Sequence, residues 1–220
     1  MKKQILILMF VACGLFSNAQ QKIETFYKDY YLTKEVDVKK ANFKKVEARN
    51  TDGTLNIQIF NLSKNCIIKE ENYKDNNPIG IWTTYFENCS LDKKRNFSKL
   101  VYSNKQVDTL FNNVIKDNNP ENYVKAQYGD NENAIFQYLA SKLKYPNEAK
   151  ESGISGTVYL QFIINADGSI KMVSIVRSAH AFLDYESWEL IESMPKWNPA
   201  KKDGHPIDSY YNLPIRYSLK

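Results

Sequence analysis

From Glu24 to Asn61 polar and β-prone residues alternate, as in Phe43-Lys44-Lys45-Val46-Glu47-Ala48 and Leu55-Asn56-Ile57-Gln58-Ile59-Phe60, with a break at Asp52-Gly53. A period of two sends successive side chains to opposite faces, so these runs predict short, half-exposed antiparallel strands. A second pair of runs, Cys66-Ile67-Ile68 and Trp82-Thr83-Thr84-Tyr85-Phe86, flanks the turn signal Asp75-Asn76-Asn77-Pro78. A hairpin centred between Asn77 and Pro78 sets Tyr73 opposite Trp82 and Cys66 opposite Cys89.

Further along, the period lengthens. Ile135, Phe136, Leu139 and Leu143 recur at helical spacing after the N-cap candidates Asp130-Asn131-Glu132-Asn133. That helix ends near Tyr145; Pro146 suits the start of a second, short helix, which Gly153 terminates. Gly156 to Ile164, the turn Asn165-Ala166-Asp167-Gly168 and the run Ser169 to Val176 predict a hairpin whose Val158, Leu160, Phe162 and Ile164 share the face that helices cover. Leu183, Ser187, Leu190, Ile191 and Met194 then follow a helical repeat, with Asp184 as N-cap and Pro195 as the stop. A last strand runs from Ile207 to Leu219.

The predicted fold class is α+β. Residues 131–220 form an α-β-β-α-β module with two helices on one face of a three-stranded antiparallel sheet, and residues 20–110 form a small antiparallel β-hairpin meander. Between them the composition shifts to Asn, Asp, Pro and Gly, which reads as a polar linker at 111–130 with some local helix around Glu121 to Ala126.

Composition changes this picture mainly at the N-terminus. Lys2-Lys3, an apolar run from Ile5 to Phe16 and Ser17-Asn18-Ala19 ahead of Gln20 have the layout of a cleaved export signal at 1–19, which predicts a periplasmic protein. The run is too short to span a bilayer; lipidation at Cys13 is the other reading of this segment. Without Lys2 and Lys3 the chain keeps 28 basic against 25 acidic residues, which is too mild and too dispersed for a nucleic-acid partner. Export also leaves Cys66 and Cys89 as an even pair in an oxidising compartment. Either they form a disulfide, worth about 3 kcal/mol for a loop of that length, or they are two buried thiols.

The residues from Tyr73 to Asn88 resemble one unit of the MORN-like hairpin repeats, with a Tyr-Lys strand, a polar turn, Gly80-Ile81-Trp82 and paired aromatics; Cys89 stands where that pattern has glycine. Trp82, Tyr85 and Phe86 then either offer a binding surface or fill the space between hairpins. A denser set of matches lies in the C-terminal half: Tyr145-Pro146, Ala149, Gly153-Ile154, Gly156, Val158, Asp167-Gly168, Leu183-Asp184, Met194-Pro195-Lys196-Trp197, Pro199-Ala200, Gly204, Pro206 and Tyr211-Asn212-Leu213-Pro214-Ile215. Together they resemble the C-terminal domain of TonB proteins.

The resemblance implies a periplasmic domain that grips the TonB box, a short extended segment of outer-membrane transporters, by adding it as a strand to an exposed sheet edge. Pro214 marks that edge, because a proline cannot donate to a ladder. The implied contact residues are Lys142, Lys144 and Tyr145 in the lead-in, and Tyr210, Tyr211, Asn212, Leu213, Pro214, Ile215, Arg216 and Tyr217 on the strand. Family members carry Gln-Pro where this chain has Lys142-Leu143-Lys144, which points to a partner with acidic groups. They also carry an uncleaved transmembrane helix and a long Pro-rich spacer, so the chain reads as a TonB-like recognition protein; the alternative is an envelope adaptor or structural hairpin protein that uses the module only for docking.

No catalytic constellation accompanies these features, and the expectation is a protein without enzyme activity, cofactor or metal. His180 and His205 are the only histidines; both read as exposed loop residues, away from metal-ligand spacing. There is no Gly-x-Ser-x-Gly and no phosphate loop. Trp188 and Trp197 read as core or domain-surface aromatics.

Overall fold

The computed structural model describes residues 21–103 and 122–219. The export segment, Cys13 and the first part of the expected linker lie outside the described residues. The chain divides into two compact units at Lys99/Leu100.

The first unit is an antiparallel meander. Strands β1 (Gln21–Tyr27), β2 (Phe43–Arg49), β3 (Thr54–Asn61), β4 (Cys66–Lys74), β6 (Ile81–Tyr85) and β7 (Leu91–Asn96) pair in that order, and the two-residue β5 (Asn77–Pro78) pairs back on β4. Phe43, Ile59 and Ile68 form a small core, with Tyr27, Tyr30, Leu32 and Cys66 packed against it. Trp82 is buried between Tyr73 and Phe97, with ring centroids 4.8 and 4.3 Å away, and its indole N–H donates to the Asn72 carbonyl at 3.0 Å. Phe86, by contrast, is exposed.

The β4 hairpin turns earlier than its sequence predicts. Asp75 and Asn76 both have positive φ, 50° and 65°, and form the tight turn themselves, so Lys74 faces Asn77 and Tyr73 faces Pro78. Gly80, at φ 66°, then shifts the register, and Lys69 faces Thr84. Tyr73 and Trp82 are therefore neighbours without being directly opposite. Cys66 and Cys89 still meet, as a disulfide with Cα atoms 6.3 Å apart.

The second unit is the α+β half. Helix α1 (Ala134–Lys142) and the short α2 (Asn147–Glu151) precede β9 (Gly156–Ile164), β10 (Ile170–Arg177), α3 (Ala181–Glu192) and β13 (Ser209–Tyr217). The sheet order is β10-β9-β13, antiparallel throughout. Val158, Leu160, Phe162 and Ile164 of β9 have no solvent exposure; α3 packs on β9 and β10, and α2 packs on α3. Each such side chain contributes about 1.5–3 kcal/mol by burial, so this layer is the main source of the unit's stability.

Several details depart from the sequence expectation. On α1, Ile135 is buried and Leu139 half-buried, but Phe136, which shares their helical repeat, is 64% exposed. Ile207 belongs to a separate hairpin, β11 (Ala200–Lys202) and β12 (His205–Ile207), turned at Asp203-Gly204. The last strand starts at Ser209, after the Asp208 carboxylate has accepted the Ala166 N–H at 2.7 Å. The stretch expected to be locally helical contains β8 (Tyr123–Val124), which pairs with β11, and Gln127 exchanges backbone hydrogen bonds with Asn198. Residues 122–130 thus lie within the second unit.

The start of α3 is also corrected. The N-cap is His180, half-buried, whose Nδ1 accepts the Phe182 N–H at 3.3 Å. Asp184 lies inside the first turn, fully buried, and accepts from the Ser178 hydroxyl at 2.6 Å, the Ala179 N–H at 3.2 Å and the Tyr102 hydroxyl at 3.2 Å. Tyr102 belongs to a short segment that runs parallel along β10: the Ile175 N–H donates to Val101, and the Ser103 N–H donates to Ile175.

Candidate functional site

The direction of each main-chain group on β13 follows from the hairpin turn. Asn165 N–H donates to the Ser169 carbonyl, so that pair is hydrogen-bonded and the next pair, Ile164 with Ile170, is not. Ile164 therefore directs its N–H and C=O away from β10, toward Ser209 of β13. Alternation then turns the groups of residues 209, 211, 213, 215 and 217 to β9, and those of Tyr210, Asn212, Pro214 and Arg216 to the other side. The same phase turns the groups of Ile175 off the opposite edge of the sheet, where Val101 and Ser103 take them.

One edge of the sheet is therefore occupied by the chain itself. Among the described residues no strand pairs with the outer side of β13. Pro214 falls on an outward position, where its missing donor interrupts nothing in the ladder to β9. The open edge offers three N–H donors, at Tyr210, Asn212 and Arg216, and four carbonyls.

Side chains sort the expected contact residues in the same way. Tyr210, Pro214, Arg216, Lys142 and Lys144 are exposed; Tyr145, Tyr211 and Asn212 are half-buried. Leu213, Ile215 and Tyr217 are buried, and their backbone groups face β9. These three are core residues of the strand and present nothing to its open side. Tyr217 is held by its hydroxyl contact with Ser187 at 3.0 Å, and burial pushes that phenol well above its ordinary value. The Tyr145 ring meets Tyr217 edge-on at 5.4 Å, and its hydroxyl donates to the Ile154 carbonyl. Lys144 and Arg216 each sit one residue from that contact, at the far end of the edge.

At the near end the structure brings in residues that the sequence did not single out. A groove of about 480 Å³ lies between Tyr123, Tyr128 and Ile135 on one side and Ser209 to Asn212 on the other. Tyr128 and Tyr211 both rest on the buried Trp197, at 5.4 and 4.8 Å, and Tyr211 stacks on Phe162 at 5.5 Å. Burial raises the Tyr211 hydroxyl above its ordinary value. The Asn212 carboxamide oxygen accepts from Gln161 at 3.1 Å. Among the described residues no group of three or more His, Cys, Asp or Glu could hold a metal ion, and no helix is long and apolar enough to cross a membrane.

Residues 141–219, which contain α2, α3, the three-stranded sheet and its open edge, match the family model described as Gram-negative bacterial TonB protein C-terminal. This segment is similar to the C-terminal domain of TonB proteins. Its curated relatives include "Protein TonB" of Helicobacter pylori strain 26695, 35% identical over 83 residues, covering 37% of this chain and 28% of the relative. "Protein TonB" of Vibrio cholerae is 33% identical over 78 residues, covering 35% of this chain and 32% of the relative. The chain thus spans about a third or less of the length of these relatives. No solved structure matches it significantly. The TonB-type match takes in Tyr145, Pro214 and all of β13, whereas Tyr123, Tyr128 and Ile135 of the groove lie outside it.

Proposed function

We propose that the C-terminal unit is a recognition module that binds an extended peptide segment, the TonB box of an outer-membrane transporter, by strand addition to β13 in the periplasm. The observation that carries this reading is the open run of main-chain groups at Tyr210, Asn212, Pro214 and Arg216 on a strand whose other side is fully paired. The peptide pairs antiparallel or parallel with this edge, loses one bond at Pro214, and places acidic groups near Lys142, Lys144 and Arg216. The reading is one of binding within TonB-dependent transport.

Calorimetric titration of the full chain with synthetic N-terminal peptides of outer-membrane transporters from the same organism tests it. Saturable one-to-one binding is expected, weakened by Arg216→Pro, which removes one outward donor and leaves the β9 ladder intact. Failure of every such peptide to bind contradicts the proposal.

A second reading has its own support: the family match stops at residue 141, and the disulfide-linked meander lies outside it. In that reading the chain is an envelope adaptor whose meander carries the function and whose TonB-type domain docks it. Residues 21–103 expressed alone would then retain the activity of the full chain.

A further inference from the structure

Resting on the edge-binding reading, we propose that the groove beside the start of β13 is a specificity site that receives one aromatic side chain with a polar atom, tyrosine or tryptophan, from the bound peptide. Tyr210 and Asn212, whose main-chain groups point off the open edge, also line the groove. A strand paired to those two residues sends alternate side chains to one face, so the chain that pairs there carries one of them toward the cavity. At about 480 Å³ the groove falls within the roughly 300–1,000 Å³ typical of ligand sites.

Its lining indicates what fits. Tyr123, Tyr128, Tyr210 and Tyr211 supply ring faces and edges, and two of these rings are fixed in advance by Trp197. The Ser209 hydroxyl, also in the lining, is buried and has no hydrogen-bond partner. A buried hydroxyl left unpaired is unfavourable, and a phenol or indole N–H entering the groove would satisfy it. Aliphatic side chains fill volume but leave that oxygen unpaired.

The test uses the full chain and overlapping 12-residue peptides that cover the N-terminal segments of the organism's outer-membrane transporters. Peptides that bind are alanine-scanned against wild type, Ala126→Trp, Ser209→Ala and Arg216→Pro, each checked for folding by circular dichroism. Ala126→Trp fills the groove from a half-buried position. Ser209→Ala deletes only the unpaired hydroxyl, so it serves if the larger substitution disturbs the fold. Arg216→Pro weakens the edge away from the groove.

The expected result is one tyrosine or tryptophan position whose alanine replacement costs tenfold or more in Kd with wild type and nothing with Ala126→Trp, together with a several-fold loss in Ser209→Ala. If Ala126→Trp and Ser209→Ala bind like wild type while Arg216→Pro is weakened, the groove proposal is overturned and edge binding stands. If no peptide binds wild type, both fall.

Discussion

Asp184 is a buried carboxyl in the first turn of α3. Burial raises its carboxyl from 3.8 to about 6, against the lowering effect of its bonds from Ser178, Ala179 and Tyr102. Its folded pKa lies above its unfolded one, so its contribution to stability is fully present below about pH 3.8 and is lost as pH rises through about 6. Asp184→Asn removes that titration and keeps an acceptor for Ser178 and Ala179. Denaturant midpoints at pH 4, 5, 6 and 7 should show the stability of wild type relative to the variant falling, by on the order of 3 kcal/mol in total, as pH increases. A difference independent of pH would contradict this account. Asp167 runs the other way: the Ser169 hydroxyl and N–H and the Lys196 ammonium hold it down at about 2, but it is exposed and governs little. In three Asn-x-Ser sequences Asn61, Asn88 and Asn96 each accept the N–H two residues on, and the buried Asn61 also donates to the Glu87 carbonyl at 3.2 Å.

At the scale of elements, the β4–β6 hairpin and the β9–β10 hairpin show two ways of fixing a turn. The first relies on positive φ at Asp75 and Asn76 and on the Cys66–Cys89 link. Converting both cysteines to serine should lower the hydrogen-exchange protection of β4 and β6 by about 3 kcal/mol and leave β9 unchanged; equal loss in β9 would mean that the two units unfold together. The second hairpin depends on Gly168, where an added Cβ would lie 2.3 Å from the Trp197 carbonyl oxygen.

The strands at 54–61 and 156–164 were legible because one face of each is buried and alternation follows. The β4 register was not: Asp75-Asn76 and Asn77-Pro78 both read as turn signals in sequence, and the chain turns at the first. His180 capping and Asp184 burial escaped because aspartate is a favoured N-cap type and histidine is not, which points the sequence reading at the wrong one of two residues four apart. The open edge was legible through Pro214. Its division into outward Tyr210, Asn212, Pro214 and Arg216 and inward Leu213, Ile215 and Tyr217 needed the hydrogen-bond phase, and the groove was hidden because Tyr123 and Tyr128 lie in a stretch that reads as linker.

At the scale of the whole molecule, two compact units share one chain, and only the second carries the family match. In that unit the chain's own residues 101–103 close the β10 side of the sheet, and among the described residues no strand pairs with the outer side of β13. The central claim is that this edge binds a peptide through its main chain, and amide-resolved hydrogen exchange of the full chain with and without a binding transporter peptide tests it most directly. The account predicts that the peptide slows exchange at Tyr210, Asn212 and Arg216, while Tyr211, Leu213, Ile215 and Tyr217, already bonded to β9, change little. Protection that appears elsewhere, with those three outward amides unaffected, would contradict it.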